Sequence, residues 1–271
     1  MADPRTSLPE AQAPLLSTAH VISSSAPLRD NRGWRKGLQT ELLHGQGFNI
    51  YGEGRGWVFG QSIPLVAGSE RPGYVGYIPK KSISGDVFEA SHAVSALRAP
   101  VFNDPDIKSH ITQSLPLNAQ VQSRKEEGDF VKVGVGAYIH NRHLLKLSSL
   151  PSGQDYVNYA EMYLGAPYIW GGTGDMGLDC SGLLQMALCA VGQDAPRDAD
   201  LQEQDLGDRL KTTGETDELR RGDLIFWPGH VGIMSDAQTL LHANAFHMVT
   251  AKEPYSEAVE RIGTPRTIKR F

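Results

Sequence analysis

The chain has 271 residues, 40% of them hydrophobic and 21% charged, and a net charge of −5. That composition describes an ordinary folded protein of one large or two to three small domains and excludes a disordered or fibrous chain. Lys and Arg are scattered, with no run of five or six like charges, so nucleic acid is not an expected partner. No stretch approaches the roughly 20 apolar residues of a membrane span, so no membrane association is expected either.

Residues 1–19 are rich in Pro, Ala and Ser and read as a flexible leader. The first 30 residues contain Asp3, Arg5 and Glu10 and lack an apolar core of signal-peptide length, which points to a cytoplasmic protein. From residue 20 to 149 short apolar runs are broken by Gly, Asn, Asp and Pro, the grammar of an all-β region. The region is duplicated. Ala26-Pro27-Leu28, Gly56-Trp57-Val58 and Gly76-Tyr77-Ile78-Pro79 are echoed by Ala99-Pro100-Val101, Asp129-Phe130-Val131 and Ala137-Tyr138-Ile139-His140. Each half resembles a bacterial SH3-type barrel, giving a first barrel over 20–84 and a second over 99–149. Residues 85–98 between them read as a linker with a short helix.

A different pattern begins at residue 152. Asp155 to Leu164 fits an amphipathic helix closed by Gly165, and 171–177 form a Gly-rich loop. Leu183, Leu184, Ala187, Leu188 and Val191 recur at helical spacing from Cys180, and Gly192 stops that helix. Leu224–Trp227, Val231–Met234 and Leu240–Ala243 read as consecutive strands, so 152–271 has an α+β layout.

The two cysteines differ in setting. On one helix, Cys180 and Cys189 lie roughly 13 Å apart along the axis, too far for a disulfide. Cys189 sits mid-helix among Leu and Ala, the setting of a buried core thiol. Cys180 follows Asp179, a preferred N-cap residue, so it occupies the first turn, where the helix dipole favours a thiolate and free N–H groups can hold an oxyanion. A low thiol pKa is therefore expected there. His230 and His242 are equidistant from Asp236. A hairpin at Asp236 would set the two rings opposite each other or one pair displaced on one sheet face, as a base and its orienter. A metal site of His230, His242 and His247 lacks a carboxylate partner and is not favoured.

Tyr168-Ile169-Trp170-Gly171-Gly172, Leu178-Asp179-Cys180-Ser181-Gly182-Leu183, Arg221-Gly222-Asp223-Leu224-Ile225-Phe226, Gly229-His230-Val231-Gly232-Ile233 and Leu241-His242-Ala243 resemble, in order, the motifs of the NlpC family of papain-like cysteine peptidases. The resemblance implies Cys180 as nucleophile, His230 as base and His242 as the third, orienting residue, with no metal or organic cofactor. Two SH3-type barrels ahead of such a domain resemble the subgroup that cleaves γ-D-glutamyl–diamino acid bonds in murein peptides such as L-Ala-γ-D-Glu-diaminopimelate. Pro196-Arg197-Asp198-Ala199 resembles that subgroup's Pro-Arg-Asp-Ser, which makes Asp198 the expected partner of the substrate's free amine. Ala199 in place of Ser removes one hydrogen bond to substrate. Tyr74, Glu41, Asp179, Ser181 and Trp170 complete the expected substrate-binding set, Trp170 as a groove wall. Two alternatives stay open: a secreted hydrolase of intact wall, and a wall-peptide-binding protein without activity.

Overall fold

In a computed structural model, residues 3–8, 14–35, 37–153, 155–174, 176–211 and 218–271 are described. Parts of the leader (1–2 and 9–13) and residue 175 of the Gly-rich loop lie outside them. The chain forms two units, Met1–Leu150 and Pro151–Phe271.

The N-terminal unit holds two β bodies. The first comprises β1 (Ser17–Val21), β2 (Ser25–Arg29), β3 (Leu38–Leu43), β4 (Gly47–Gly54), β5 (Trp57–Ser62), β6 (Val75–Pro79) and β7 (Ile83–Ser84), in the order β3-β2-β6-β5-β4-β1-β7. Its hairpins are antiparallel, and β4 turns into β5 through Arg55-Gly56, both with positive φ (52° and 78°). That is the backbone of a turn whose twist matches the strands it joins. Leu28, Phe48, Ile50, Val58 and Ile78 fill the core.

The second body has β8 (His92–Val94), β9 (Arg98–Phe102), β10 (Ile111–Pro116), β11 (Gln120–Val121), β12 (Lys125–Glu127), β13 (Phe130–Gly134), β14 (Ala137–His140) and β15 (Leu144–Lys146). They form sheets ordered β10-β9-β14-β13-β12 and β11-β8-β15 around Val94, Val101, Leu115, Val121, Val131 and Ile139. The internal duplication has a structural counterpart. A short 3₁₀ turn, Lys80–Ser82, joins β6 to β7, and another, Asn141–His143, joins β14 to β15.

Two expected boundaries are corrected. The linker 85–98 holds no helix among its residues; β8 lies within it, because Ala93 and Val94 are buried (6% and 1% exposed) and pair with β11 and β15. The leader 1–19 is not wholly free. The N–H of Val75 donates to the carbonyl of Arg5 (2.8 Å), the Gln61 amide donates to that of Thr6 (2.8 Å), and β1 begins at Ser17.

The C-terminal unit contains α1 (Val157–Glu161), α2 (Cys180–Ala190), α3 (Ala199–Asp205), β16 (Asp208–Arg209), β17 (Leu224–Trp227), β18 (His230–Met234), β19 (Thr239–Asn244), β20 (Val249–Pro254), α4 (Tyr255–Ile262) and β21 (Thr267–Arg270). Its antiparallel sheet runs β16-β21-β17-β18-β19-β20. Ten of the eleven α2 residues are buried, as befits a helix that is apolar on nearly every side and packs on β18 and β19. The expected helix over 155–164 contracts to the five residues of α1, which Arg221 clamps. Arg221 ion-pairs with Asp155 and Glu161, donates to Asn158 Oδ1 (2.9 Å) and reaches the carbonyl of Ser235 (2.8 Å). Among the described residues no helix is long and apolar enough to cross a membrane.

Candidate active site

Asp179 caps α2, its Oδ1 accepting from the N–H of Gly182 (2.7 Å) while Oδ2 accepts from the N–H of Gly171 (2.8 Å). The cap is itself held by a buried ion pair. Arg197 donates from both terminal nitrogens to the two Asp179 oxygens (2.9 Å each), and also to Ser181 Oγ (3.0 Å) and the Gly172 carbonyl (3.1 Å). Gln202 on α3 donates to the carbonyls of Ser181 and Pro196 (2.9 Å each). Gly182 is required by this closeness, since a Cβ there would lie 2.4 Å from the Gly172 carbonyl oxygen. Asp179 and Ser181, expected as substrate contacts, are 7% and 4% exposed, and their side chains serve this network instead. The physical reason is that a buried carboxylate needs its hydrogen bonds satisfied, and Arg197 with the loop N–H groups satisfies them.

Cys180 opens α2, and its sulfur accepts a hydrogen bond from the N–H of Val231, next to His230 on β18. Burial and the Asp179 charge push the thiol up to about 11; the Val231 and Ser181 N–H groups and Arg197 oppose them only in part. The low thiol pKa expected from the helix start is therefore corrected, because desolvation and the Asp179 charge outweigh the backbone N–H groups and Arg197. Tyr168 shares this setting, its hydroxyl raised to about 12 by burial and then by charge on Cys180 and Asp179. Cys189 is buried deeper in the helix and is pushed up to about 12.

His230 is set at the start of β18 by a turn through Pro228-Gly229, where Gly229 has φ +74° and Trp227 faces His230 across the hairpin. The β18–β19 register pairs Ile233 with Leu241 and Met234 with Leu240. Continued, it puts His242 opposite Gly232, so the two imidazoles are diagonal neighbours, the displaced form of the expected pairing. His230 Nε2 and His242 Nδ1 lie 2.8 Å apart. His242 is fully buried, and its Nε2 lies 2.6 Å from Glu253 Oε1 on β20. Arg261 on α4 in turn donates to Glu253 Oε2 (2.8 Å).

Burial lowers His230 to about 3, helped by His242 and Arg261. Burial also lowers His242 to about 4, against the pull of Glu253. Burial alone would raise Glu253, but Arg261 and His242 hold it below its ordinary value. Glu253 and Arg261 escaped sequence reasoning. They stand on a strand and a helix that the apolar pattern did not mark, and a charged pair there reads as solvated surface.

The remaining expected residues are not part of this hydrogen-bonded line. Asp198 is at the N-cap position of α3 yet makes no side-chain cap hydrogen bond. Trp170 is 71% exposed. Tyr74 is 6% exposed in the core of the first β body, and Glu41 on β3 accepts from Ser25 Oγ (3.4 Å). Among the described residues one group, His242, His247 and Glu253, offers three ligand atoms within 4.8 Å of one another. Both ring nitrogens of His242 are already bonded, so a cation there would have to break that line of hydrogen bonds.

An α+β domain with a thiol at a helix start and histidines on the adjoining antiparallel sheet defines a papain-like cysteine peptidase. More particularly, residues 165–264 match the model of the NlpC/P60 family. The γ-D-glutamyl-L-lysine dipeptidyl-peptidase of Bacillus subtilis is 27% identical over 229 residues, 76% of this chain and 72% of that protein. Dipeptidyl-peptidase 6 of Lysinibacillus sphaericus is 37% identical over 91 residues, 34% of this chain and 32% of that protein. An NlpC/P60 family protein of Bacillus cereus has the same fold, with a TM-score of 0.79 at 19% identity over 94% of this chain and 99% of the other.

Proposed function

We propose that the protein hydrolyses the γ-D-glutamyl–diamino acid bond of short murein peptides bearing a free N-terminal L-Ala, with Cys180 as nucleophile, His230 as base and His242 as its orienter. The observation that carries this reading is the contiguous arrangement at the head of α2. A thiol accepts from Val231 N–H, next to a histidine that is bonded to a second histidine. The Cys180 proton passes to His230 as the sulfur attacks the γ-carbonyl carbon of D-Glu, and backbone N–H groups at the helix start hold the oxyanion. His230 then gives that proton to the departing diamino-acid amine. Water, deprotonated by His230, hydrolyses the thioester and releases L-Ala-γ-D-Glu. Thiol and imidazole both rest neutral, so proton transfer accompanies attack.

Asp198 is the proposed carboxylate for the substrate ammonium. Its place in Pro196-Arg197-Asp198-Ala199 supports this, directly after the Arg197 that is tied to the head of α2. An ammonium drawn from water needs a charged partner, and acetylation removes the charge that a carboxylate would recognise. The two N-terminal β bodies are proposed as SH3-type barrels, a reading supported by their duplicated strand–3₁₀–strand endings. The names of the curated relatives support a γ-D-glutamyl-L-lysine or related bond as the target.

The test is incubation with L-Ala-γ-D-Glu-meso-diaminopimelate and L-Ala-γ-D-Glu-L-Lys, followed by mass spectrometry for the dipeptide. Wild type releases it, and Cys180→Ala slows release by at least about 10⁴-fold. Absence of product from wild type, or full activity in Cys180→Ala, sinks the proposal. N-acetylated peptide is expected to be cleaved far more slowly; equal cleavage would remove Asp198 from its role. We place the reaction in the cytoplasm, on peptides already freed from the wall, and recovery of the protein from the culture medium would overturn that placement.

A further inference from the structure

The hydrogen-bond line behind His230 does not stop at His242. Its far end is Glu253, a residue the two-histidine reading leaves without a task. Glu253 is 7% exposed and is gripped by Arg261, whose guanidinium also lies over the Phe246 ring (4.3 Å to the centroid). The groups acting on this line are His230 on β18, His242 on β19, His247 in the β19–β20 turn and Arg261 on α4, with Glu257 acting on Arg261; Cys180 at the head of α2 meets the N–H of Val231, the neighbour of His230.

Donor and acceptor roles propagate along the line. An ionised carboxylate can only accept, so at 2.6 Å the Nε2 of His242 must donate to Glu253. A neutral imidazole has one N–H, which leaves Nδ1 of His242 as an acceptor. The 2.8 Å contact then requires the N–H of His230 to be on Nε2. His230 Nδ1 is left with its lone pair.

We propose that Glu253, held ionised by Arg261, is the positioning residue that fixes the tautomers of both histidines and leaves Nδ1 of His230 as the base. The proposal rests on the assignment of Cys180 and His230 above. Glu253 touches neither the thiol nor the peptide. It acts through His242, and when His230 takes the thiol proton its charge balances the imidazolium. Without a carboxylate the line can run the other way, with His242 donating to His230 Nε2 and the His230 proton on Nδ1. No lone pair is then available at the atom that must take a proton.

Glu253→Gln tests this, because the new amide turns its oxygen toward Arg261 and its NH₂ toward His242. Turnover of the tripeptide is expected to fall by about 10² or more in kcat with KM within about twofold. Nitrogen NMR of ¹⁵N-histidine-labelled protein in a Cys180→Ala background reads the tautomers directly. His230 is expected as the Nε2–H form where Glu253 is present and as the Nδ1–H form in the E253Q protein. Arg261→Met is the second variant. It keeps the carboxylate but loses the cation that keeps it ionised, so the acid limb of the kcat profile moves up by about 1 pH unit. A Glu253 that merely braces the fold would lower kcat equally at every pH. An E253Q protein with kcat within about threefold of wild type, or an unchanged His230 spectrum, overturns the proposal. Activity surviving in Cys180→Ala would instead overturn the nucleophile assignment, and the NMR result does not depend on it.

Discussion

Two charges meet beneath the nucleophile. Arg197 and Asp179 are both nearly buried, and each satisfies the other through two parallel hydrogen bonds. Removing one partner of such a pair leaves an uncompensated buried charge, a loss of about 3–5 kcal/mol. Arg197→Met should therefore lower the urea midpoint of the C-terminal unit sharply. Arg197→Lys should restore only part of it, since an ammonium cannot reproduce the fork that grips both Asp179 oxygens, Ser181 Oγ and the Gly172 carbonyl. An Arg197→Met protein as stable as wild type would show that the pair contributes nothing to the loop. The thiol above it makes a second prediction. With Cys180 pushed up to about 11, the thiolate fraction at neutral pH is small. Alkylation of Cys180 by iodoacetamide, measured by peptide mass in the absence of substrate, should keep rising with pH through 9 and beyond. A rate that levels off near pH 6 would mean a preformed ion pair with His230.

At the scale of elements, β18, β19 and β20 carry the relay, and its burial couples it to acid stability. Both histidines ordinarily titrate near 6.5, but here their values fall to about 3 and about 4. Below about 6.5 the unfolded chain takes up protons that the folded chain refuses. The unfolding free energy is thus full above that pH and falls as pH drops through the window down to about 4 and then 3. Urea unfolding at pH 7.5 and 5 should show this loss, and His242→Gln should reduce it; a pH dependence unchanged by that variant would place it elsewhere. This relay was only half legible in the sequence. His230 and His242 declare themselves by hairpin symmetry about Asp236, and the strands holding them are apolar. β20 (Val-Thr-Ala-Lys-Glu-Pro) and α4 (Tyr-Ser-Glu-Ala-Val-Glu-Arg-Ile) are largely polar, so neither the elements nor the buried roles of Glu253 and Arg261 can be seen without the fold. The reverse held at Asp179 and Ser181. The motif marked their importance, but only the buried Arg197 reveals that their task is to hold the loop.

For the molecule as a whole, the division at Leu150–Pro151 separates two sets of cores. Phe48, Leu28 and Ile78 in the first β body and Val101, Leu115 and Ile139 in the second belong to one unit. Trp227, Met234, Tyr255 and Ile268 belong to the other. Within the N-terminal unit the β bodies are joined, the N–H of Gln120 donating to the carbonyl of His44 (2.8 Å) and its side-chain amide to that of Leu65 (2.7 Å). A Cβ at Gly45 would lie 2.1 Å from the Gln120 carbonyl oxygen, so that junction tolerates no side chain. Units that each close their own core melt as cooperative blocks. Calorimetry of the full chain should accordingly resolve two transitions. Arg197→Met should lower one of them and leave the other in place, whereas Gly45→Val, strained at φ +80° and crowded by Gln120, should lower the opposite one. A single transition moved equally by both substitutions would mean that the units unfold as one block, and the separate cores would then not set the limits of cooperativity.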